Sequence, residues 1–166
     1  MKRLSLFFIL ILICLPAFSQ TPEEKLTEMG IELPEVSQPV ANYVKWRKVG
    51  NLLFLAGDGS DLKGKLGKDL NIEQGYEAAR STGIDILATL KAATGDLSKI
   101  KQFVKVRGMV NSAPEFYDQP KVINGFSDLM VEVFGEKGKH ARAAVGHCSL
   151  PTNIAVEIEV VVELEE

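Results

Sequence analysis

Apolar residues recur along this chain in three rhythms. One is an unbroken block near the amino terminus, from Leu4 to Leu15. The second is a three- and four-residue recurrence in two long segments, and the third is a two-residue alternation in several shorter ones. The helical rhythm is clearest from Asn71 to Ala93, where Ile72, Tyr76, Ala79, Gly83, Ile86 or Leu87, and Leu90 share one stripe. Asn71 is placed to cap this helix, with Gln74 three residues on, and Gly95 to stop it. Gly83 on the stripe predicts close packing on a sheet. A second helix is predicted from Pro120 to Phe134, with Val122, Phe126, Leu129, Met130 and Val133 inward and Gly135 at its end. A short one begins at Thr21-Pro22-Glu23-Glu24, a T-x-x-E capping box with proline at the first helical position, and Gly30 stops it. The stretch from Glu32 to Ala41, broken by Pro34 and Pro39, reads as an extended arm.

Strands are predicted at 43–49 and 52–55 around a Gly50-Asn51 turn, then at 100–110, 141–148 and 155–164. In 100–110, alternation puts Gln102, Val104, Val106, Gly108 and Val110 on one face. It puts Phe103 and Met109 on the other, with Lys101, Lys105 and Arg107. In 155–164, Val156, Ile158, Val160, Val162 and Leu164 oppose Glu157, Glu159 and Glu163. The order ββ–α–β–α–β–β predicts an α+β domain, with two helices packed on one face of a mainly antiparallel sheet. The other face then needs cover, and a closed oligomer supplies it simply.

Met1-Lys2-Arg3, the apolar block and Pro16-Ala17-Phe18-Ser19 have the plan of a signal peptide, with cleavage before Gln20. An uncleaved anchor and lipidation at Cys14 are the alternatives. The expected organisation is a signal peptide at 1–19, a short helix and proline-containing arm at 20–41, and one domain at 42–166. The mature protein would be exported, periplasmic or secreted, with no stable membrane association. Losing Lys2 and Arg3 shifts the formal charge from −3 to −5. An acidic chain without a basic tract is a poor binder of nucleic acid. Cys148 would be the one cysteine left, so no internal disulfide is possible. It reads as a small buried side chain.

Candidate chemistry is sparse. His147 and Cys148, adjacent on a strand, point to opposite faces and do not converge on one ion, so no metal site is expected. Gly57-Asp58-Gly59 lacks the rest of a nucleotide-binding loop, and no serine lies in a nucleophile elbow. No cofactor is implied. The sharper feature is Arg142, in an otherwise small and apolar strand, followed by Glu157 on the next. If the turn at Pro151-Thr152 folds these strands together, their charged groups face one cleft. A guanidinium there would grip a carboxylate in a two-pronged manner, and a nearby carboxylate would take a proton from water. An ordinary surface arginine and a solvated row of glutamates are the plain alternatives.

Several stretches together resemble the RidA/YjgF family, older members of which carry the label endoribonuclease L-PSP. They are Tyr43-Val44, Val49-Gly50-Asn51-Leu52, Ala56-Gly57, Ala141-Arg142-Ala143-Ala144-Val145, Leu150-Pro151 and Val156-Glu157-Ile158-Glu159. The segments 111–116 and 119–125 further resemble an uncharacterised YjgF-like branch. The resemblance implies a chorismate mutase-like fold and homotrimers with clefts between subunits. It implies hydrolysis of small 2-imino or 2-enamino acids to 2-keto acids and ammonia without metal or organic cofactor. By the same resemblance, Arg142 binds the substrate carboxylate and Glu157 orients or activates water. Tyr43, Gly57, Asn124 and Ala144 contribute to substrate binding, Gly57 and Ala144 through their backbones. The family often has Ser-Gly-Gln-x-Pro where this chain has Ala56-Gly57-Asp58-Gly59-Ser60. That departure keeps open a non-catalytic trimer that binds a small carboxylate.

Overall fold

The computed structural model describes residues 20–166, so the predicted signal segment at 1–19 lies outside the described residues. Helix α1 (Pro22–Glu28) opens as its sequence dictates. The Glu24 amide donates to the Thr21 hydroxyl at 3.2 Å, and the Thr21 amide to the Glu24 carboxylate at 2.8 Å. Leu26 is buried, and Met29, Ile31 and Leu33 pack on the same core. Glu23 ties the helix down by pairing with Lys91 and accepting the Leu97 amide at 2.9 Å.

The sheet consists of β1 (Trp46–Val49), β2 (Leu52–Leu55), β3 (Asp58–Gly59), β4 (Ile100–Asn111), β5 (Ala141–His147) and β6 (Val156–Leu164). Its order is β1-β2-β6-β4-β5, with β3 also paired to β6. All pairs are antiparallel except β4–β5. That parallel pair is joined across the sheet by α3 (Gln119–Phe134), since parallel neighbours need a long crossover. Helix α2 (Ile72–Thr94) carries a capping box from Asn71 and Gln74 and ends at Gly95 with φ 75°, where only glycine sits without strain. The fold is thus the α+β arrangement expected, with α2 and α3 on one face and a short β3 in addition.

Three local expectations are corrected. Phe103 lies in the core, not on the outer face, because β4 is irregular between Ile100 and Gln102 and again between Phe103 and Lys105. Each irregularity shifts the alternation by a residue, so Ile100, Phe103, Val106, Gly108 and Val110 all point toward the helices. Phe103 then meets Phe134 edge-on, with ring centroids 5.1 Å apart. Gly83 packs against Leu129 and Phe126 of α3 instead of the sheet. Cys148 lies beyond β5 and is exposed.

The two long helices press together most closely at Gly125. A Cβ there would lie 2.0 Å from the Tyr76 carbonyl oxygen, which is backbone and cannot swing aside. Gly125→Ala must therefore separate the helices. Its urea-unfolding free energy is expected to fall by about 1–3 kcal/mol or more, the usual cost of overpacking. Gly83→Ala, which meets only side-chain tips, should cost less in the same measurement.

Candidate functional site

Arg142 is half-buried on β5 opposite Val106, so its side chain leaves the sheet on the helix-covered face. Helix α3 receives it. Nη1 donates to Asn124 Oδ1 at 2.9 Å and to Ser127 Oγ at 3.0 Å, two acceptors one helical turn apart. Ser127 Oγ lies 3.0 Å from His140 Nε2, and His140 Nδ1 lies 2.7 Å from the Gly138 carbonyl. Phe126 meets the imidazole edge-on, with centroids 5.8 Å apart. Burial holds His140 below the usual histidine range. The Arg142 charge pushes the same way and the Gly138 carbonyl opposes. Ala144 follows two residues on, opposite Gly108, half-buried against the core.

Glu157 belongs to a different place. On β6 it pairs with Met109 and Gly59, on the face away from the helices. Its carboxyl group lies against Gly57, where a Cβ would fall 2.3 Å from Oε1. The absence of a side chain at 57 thus gives the carboxylate its room. Burial pushes Glu157 above the usual carboxylate range. Glu159 and Asp58 add to that, while His147 and Arg107 oppose it. Tyr43 precedes β1 and is 47% exposed. Ala56 donates its amide to the Lys45 carbonyl, which carries the β1–β2 pairing on toward Gly57.

The expected folding of Arg142 and Glu157 into one cleft by the Pro151-Thr152 turn does not occur. β4 lies between β5 and β6, because the parallel β4–β5 pair occupies the position a hairpin would take. Within one chain the structure brings together Arg142 and Asn124, and separately Glu157 and Gly57, on opposite faces of the sheet. Sequence reasoning missed Ser127 and His140. Both were signalled: Ser127 lies one helical turn after Asn124, and His140 lies two residues before Arg142 on the line of the strand.

Asp58, opposite Ile158, points to the helix face and pairs with Lys45 at 3.6 Å. It therefore turns away from Glu157's side of the sheet. There it joins Asp61 and Asp85 around a small cavity of about 180 Å³ closed by the arm residues Pro34 to Ser37. Burial pushes Asp85 up to about 6, and the charges of Asp58 and Asp61 add to this while Lys45 opposes. A wider cleft of about 530 Å³ opens at the carboxyl ends of β4 and β5, beside Ser112, Tyr117, Gln119 and His147. Among the described residues, no group of three or more histidine, cysteine, aspartate or glutamate side chains is arranged to hold a metal ion. Nor is any described helix long and apolar enough to cross a membrane.

Residues 23–164 match the family described as "YjgF/chorismate mutase-like, putative endoribonuclease". Protein TCP17 of Trypanosoma cruzi is 41% identical over 146 residues, covering 84% of this chain and 91% of its own. A crystal structure of a protein of unknown function from Agrobacterium tumefaciens is 43% identical, with a TM-score of 0.81, covering 87% of this chain and 94% of that one. Another, of a "putative endoribonuclease" from Shewanella oneidensis, is 36% identical with a TM-score of 0.84, covering 87% and 99%.

The acidic cavity yields a pH signature. A carboxyl group raised in the folded state favours folding below its unfolded pKa and loses that contribution as pH rises through the folded value. Asp85→Asn is therefore expected to be more stable than the parent at pH 7.5. The difference should close as pH falls from about 6 toward 4, as read from urea midpoints at several pH values.

Proposed function

Because the chain belongs to the YjgF/chorismate mutase-like family, we propose that it hydrolyses small 2-imino or 2-enamino acids to 2-keto acids and ammonia. The observation that carries this reading is the state of Arg142. Its Nη1 is tied to Asn124 and Ser127, while among the described residues nothing engages Nε or Nη2. A guanidinium held by one nitrogen presents its remaining edge to a carboxylate, which it matches with two parallel hydrogen bonds. The second half of the chemistry is Glu157, whose burial brings its proton affinity nearer to neutrality. These halves lie on opposite faces of one sheet, so the reading requires a cleft between subunits. Arg142, Asn124 and Ala144 come from one copy, and Glu157, Gly57 and Tyr43 from the next, in a homotrimer.

In that cleft the imine carbon is already electrophilic, and protonation at nitrogen increases this. Water attacks the carbon, and Glu157 takes one of its protons. A new C–O bond forms as the C=N π electrons move to nitrogen, giving a carbinolamine. Glu157 returns the proton to the amine nitrogen. The C–N bond then breaks as the hydroxyl oxygen forms the C=O bond and gives its proton back to the Glu157 carboxylate, releasing ammonia and the 2-keto acid. No electrons are exchanged with any partner. Holding imino acid and water together supplies much of the acceleration, and the carboxylate clamp does the holding. Export, proposed from residues 1–19, would place this activity outside the cytosol.

Ala56 supplies no hydroxyl where the family often has one, and this favours a second reading, a non-catalytic trimeric binder of small carboxylates. A ribonuclease role, suggested by the names of the family and of the Shewanella protein, has less support in an acidic chain.

The test generates 2-imino acids in place with an amino-acid oxidase and follows the loss of semicarbazide-trapped product. The mature protein is expected to accelerate that loss. Glu157→Gln should lower kcat by about 10²–10⁴-fold, the span of general acid–base contributions. Arg142→Lys should raise KM more than it lowers kcat, because the charge stays but the second hydrogen bond goes. No acceleration by a folded trimer across several side chains would leave the binding reading in its place.

A further inference from the structure

The contacts behind Arg142 have a fixed direction. A backbone carbonyl only accepts hydrogen bonds, so the 2.7 Å contact with Gly138 requires the proton on His140 Nδ1. In the neutral ring Nε2 is then an acceptor and takes the Ser127 hydroxyl hydrogen across 3.0 Å. With its hydrogen committed, Ser127 Oγ turns lone pairs to Arg142 and receives one Nη1 hydrogen, while Asn124 Oδ1 receives the other. Both hydrogens of Nη1 are thereby used. The groups facing the imidazole are Arg142 from β5, Ser127 and Phe126 from α3, Phe103 from β4 and the Gly138 carbonyl from the 3-10 turn after α3. Among the described residues Arg142 is the one charged group in that shell, and it disfavours a second charge on the ring.

We propose that Ser127 and His140 are positioning residues. The neutral imidazole orients the Ser127 hydroxyl, which with Asn124 saturates Arg142 Nη1 and holds the Nε–Nη2 edge toward a carboxylate. The proposal rests on the carboxylate-binding reading of Arg142 and adds the two residues that set its angle. Without the hydroxyl, one Nη1 hydrogen loses its partner and the guanidinium turns about its terminal torsions. Replacing the imidazole frees the hydroxyl to donate elsewhere, with the same result one step removed.

The experiment uses nitrogen-labelled mature protein, in NMR, with 2-oxobutyrate as the carboxylate probe in calorimetry. The expected results are an Nδ1–H tautomer for His140 and separate Nη1 and Nη2 signals for a restrained Arg142. In Ser127→Ala those signals should merge, and 2-oxobutyrate should bind about tenfold more weakly, the order expected for one lost hydrogen bond to a charged group. Ser127→Thr, which restores the hydroxyl, should recover both. His140→Phe, which keeps an aromatic ring beside Phe126, should release the guanidinium as Ser127→Ala does. An Nε2–H tautomer, or an Arg142 equally restrained in Ser127→Ala, would overturn the proposal. If 2-oxobutyrate binds no form while the NMR differences appear as expected, the relay stands and the carboxylate reading is what fails.

Discussion

Running β5 parallel to β4 obliges the chain to cross back over the sheet, and that single crossing organises the rest of the molecule. α3 makes the crossing, so it lies over β4 and close to the strand it delivers. Gly108 clears the way, since a Cβ there would fall 2.5 Å from the Ile123 side chain. Gly125 does the same on the other side of the helix, where α2 comes against it. The outcome is a helix seated low enough that short side chains, Asn124 and Ser127, reach an arginine on the edge strand.

The same topology divides the polar chemistry by face. Residues opposite one another across neighbouring strands point the same way, so Arg142 follows Val106 and Val160 toward the helices. Glu157 follows Met109 toward the other side. One face therefore offers a cation held by hydrogen bonds, and the other a partly desolvated acid beside a glycine. Each is incomplete as a catalytic centre. The proposed clefts between subunits would give the two faces a way to meet, and that is why the functional reading depends on assembly.

Much of the fold could be read from the sequence because its signals are local. Caps, stops and the inward stripes of α2, α3 and β6 need only neighbouring residues, and these were legible. The irregularities in β4 were not, because an inserted residue is visible only against its partner strand. Phe103 was misplaced for that reason. Gly83 showed that something packs closely but not what, since its partners Phe126 and Leu129 lie far along the chain in another helix. For the site, Arg142 stood out in its small, apolar strand and Asn124 came from a resemblance, whereas their shared contact is a fact of three dimensions. The mistaken hairpin between β5 and β6 had the same origin, because sequence neighbours are not always sheet neighbours. Asp58 illustrates the remaining gap: it follows Gly57 in the chain, yet it sits opposite Ile158 and turns to the face away from Glu157.

Helix α1 starts two residues after the predicted cleavage point, and it is already docked there. Leu26 is in the core, Glu23 holds both Lys91 and the Leu97 amide, and Gln20 donates to Glu28 at 2.9 Å. A peptidase needs an extended stretch of chain in its cleft, and on the far side of the Ser19–Gln20 bond only Gln20 and Thr21 precede the helix. If residues 1–19 are removed at that bond, removal has to come before α1 settles onto the domain. Under that proposal, the docking of a seven-residue helix would act as a clock on maturation, closing the interval in which residues 1–19 could be cut away.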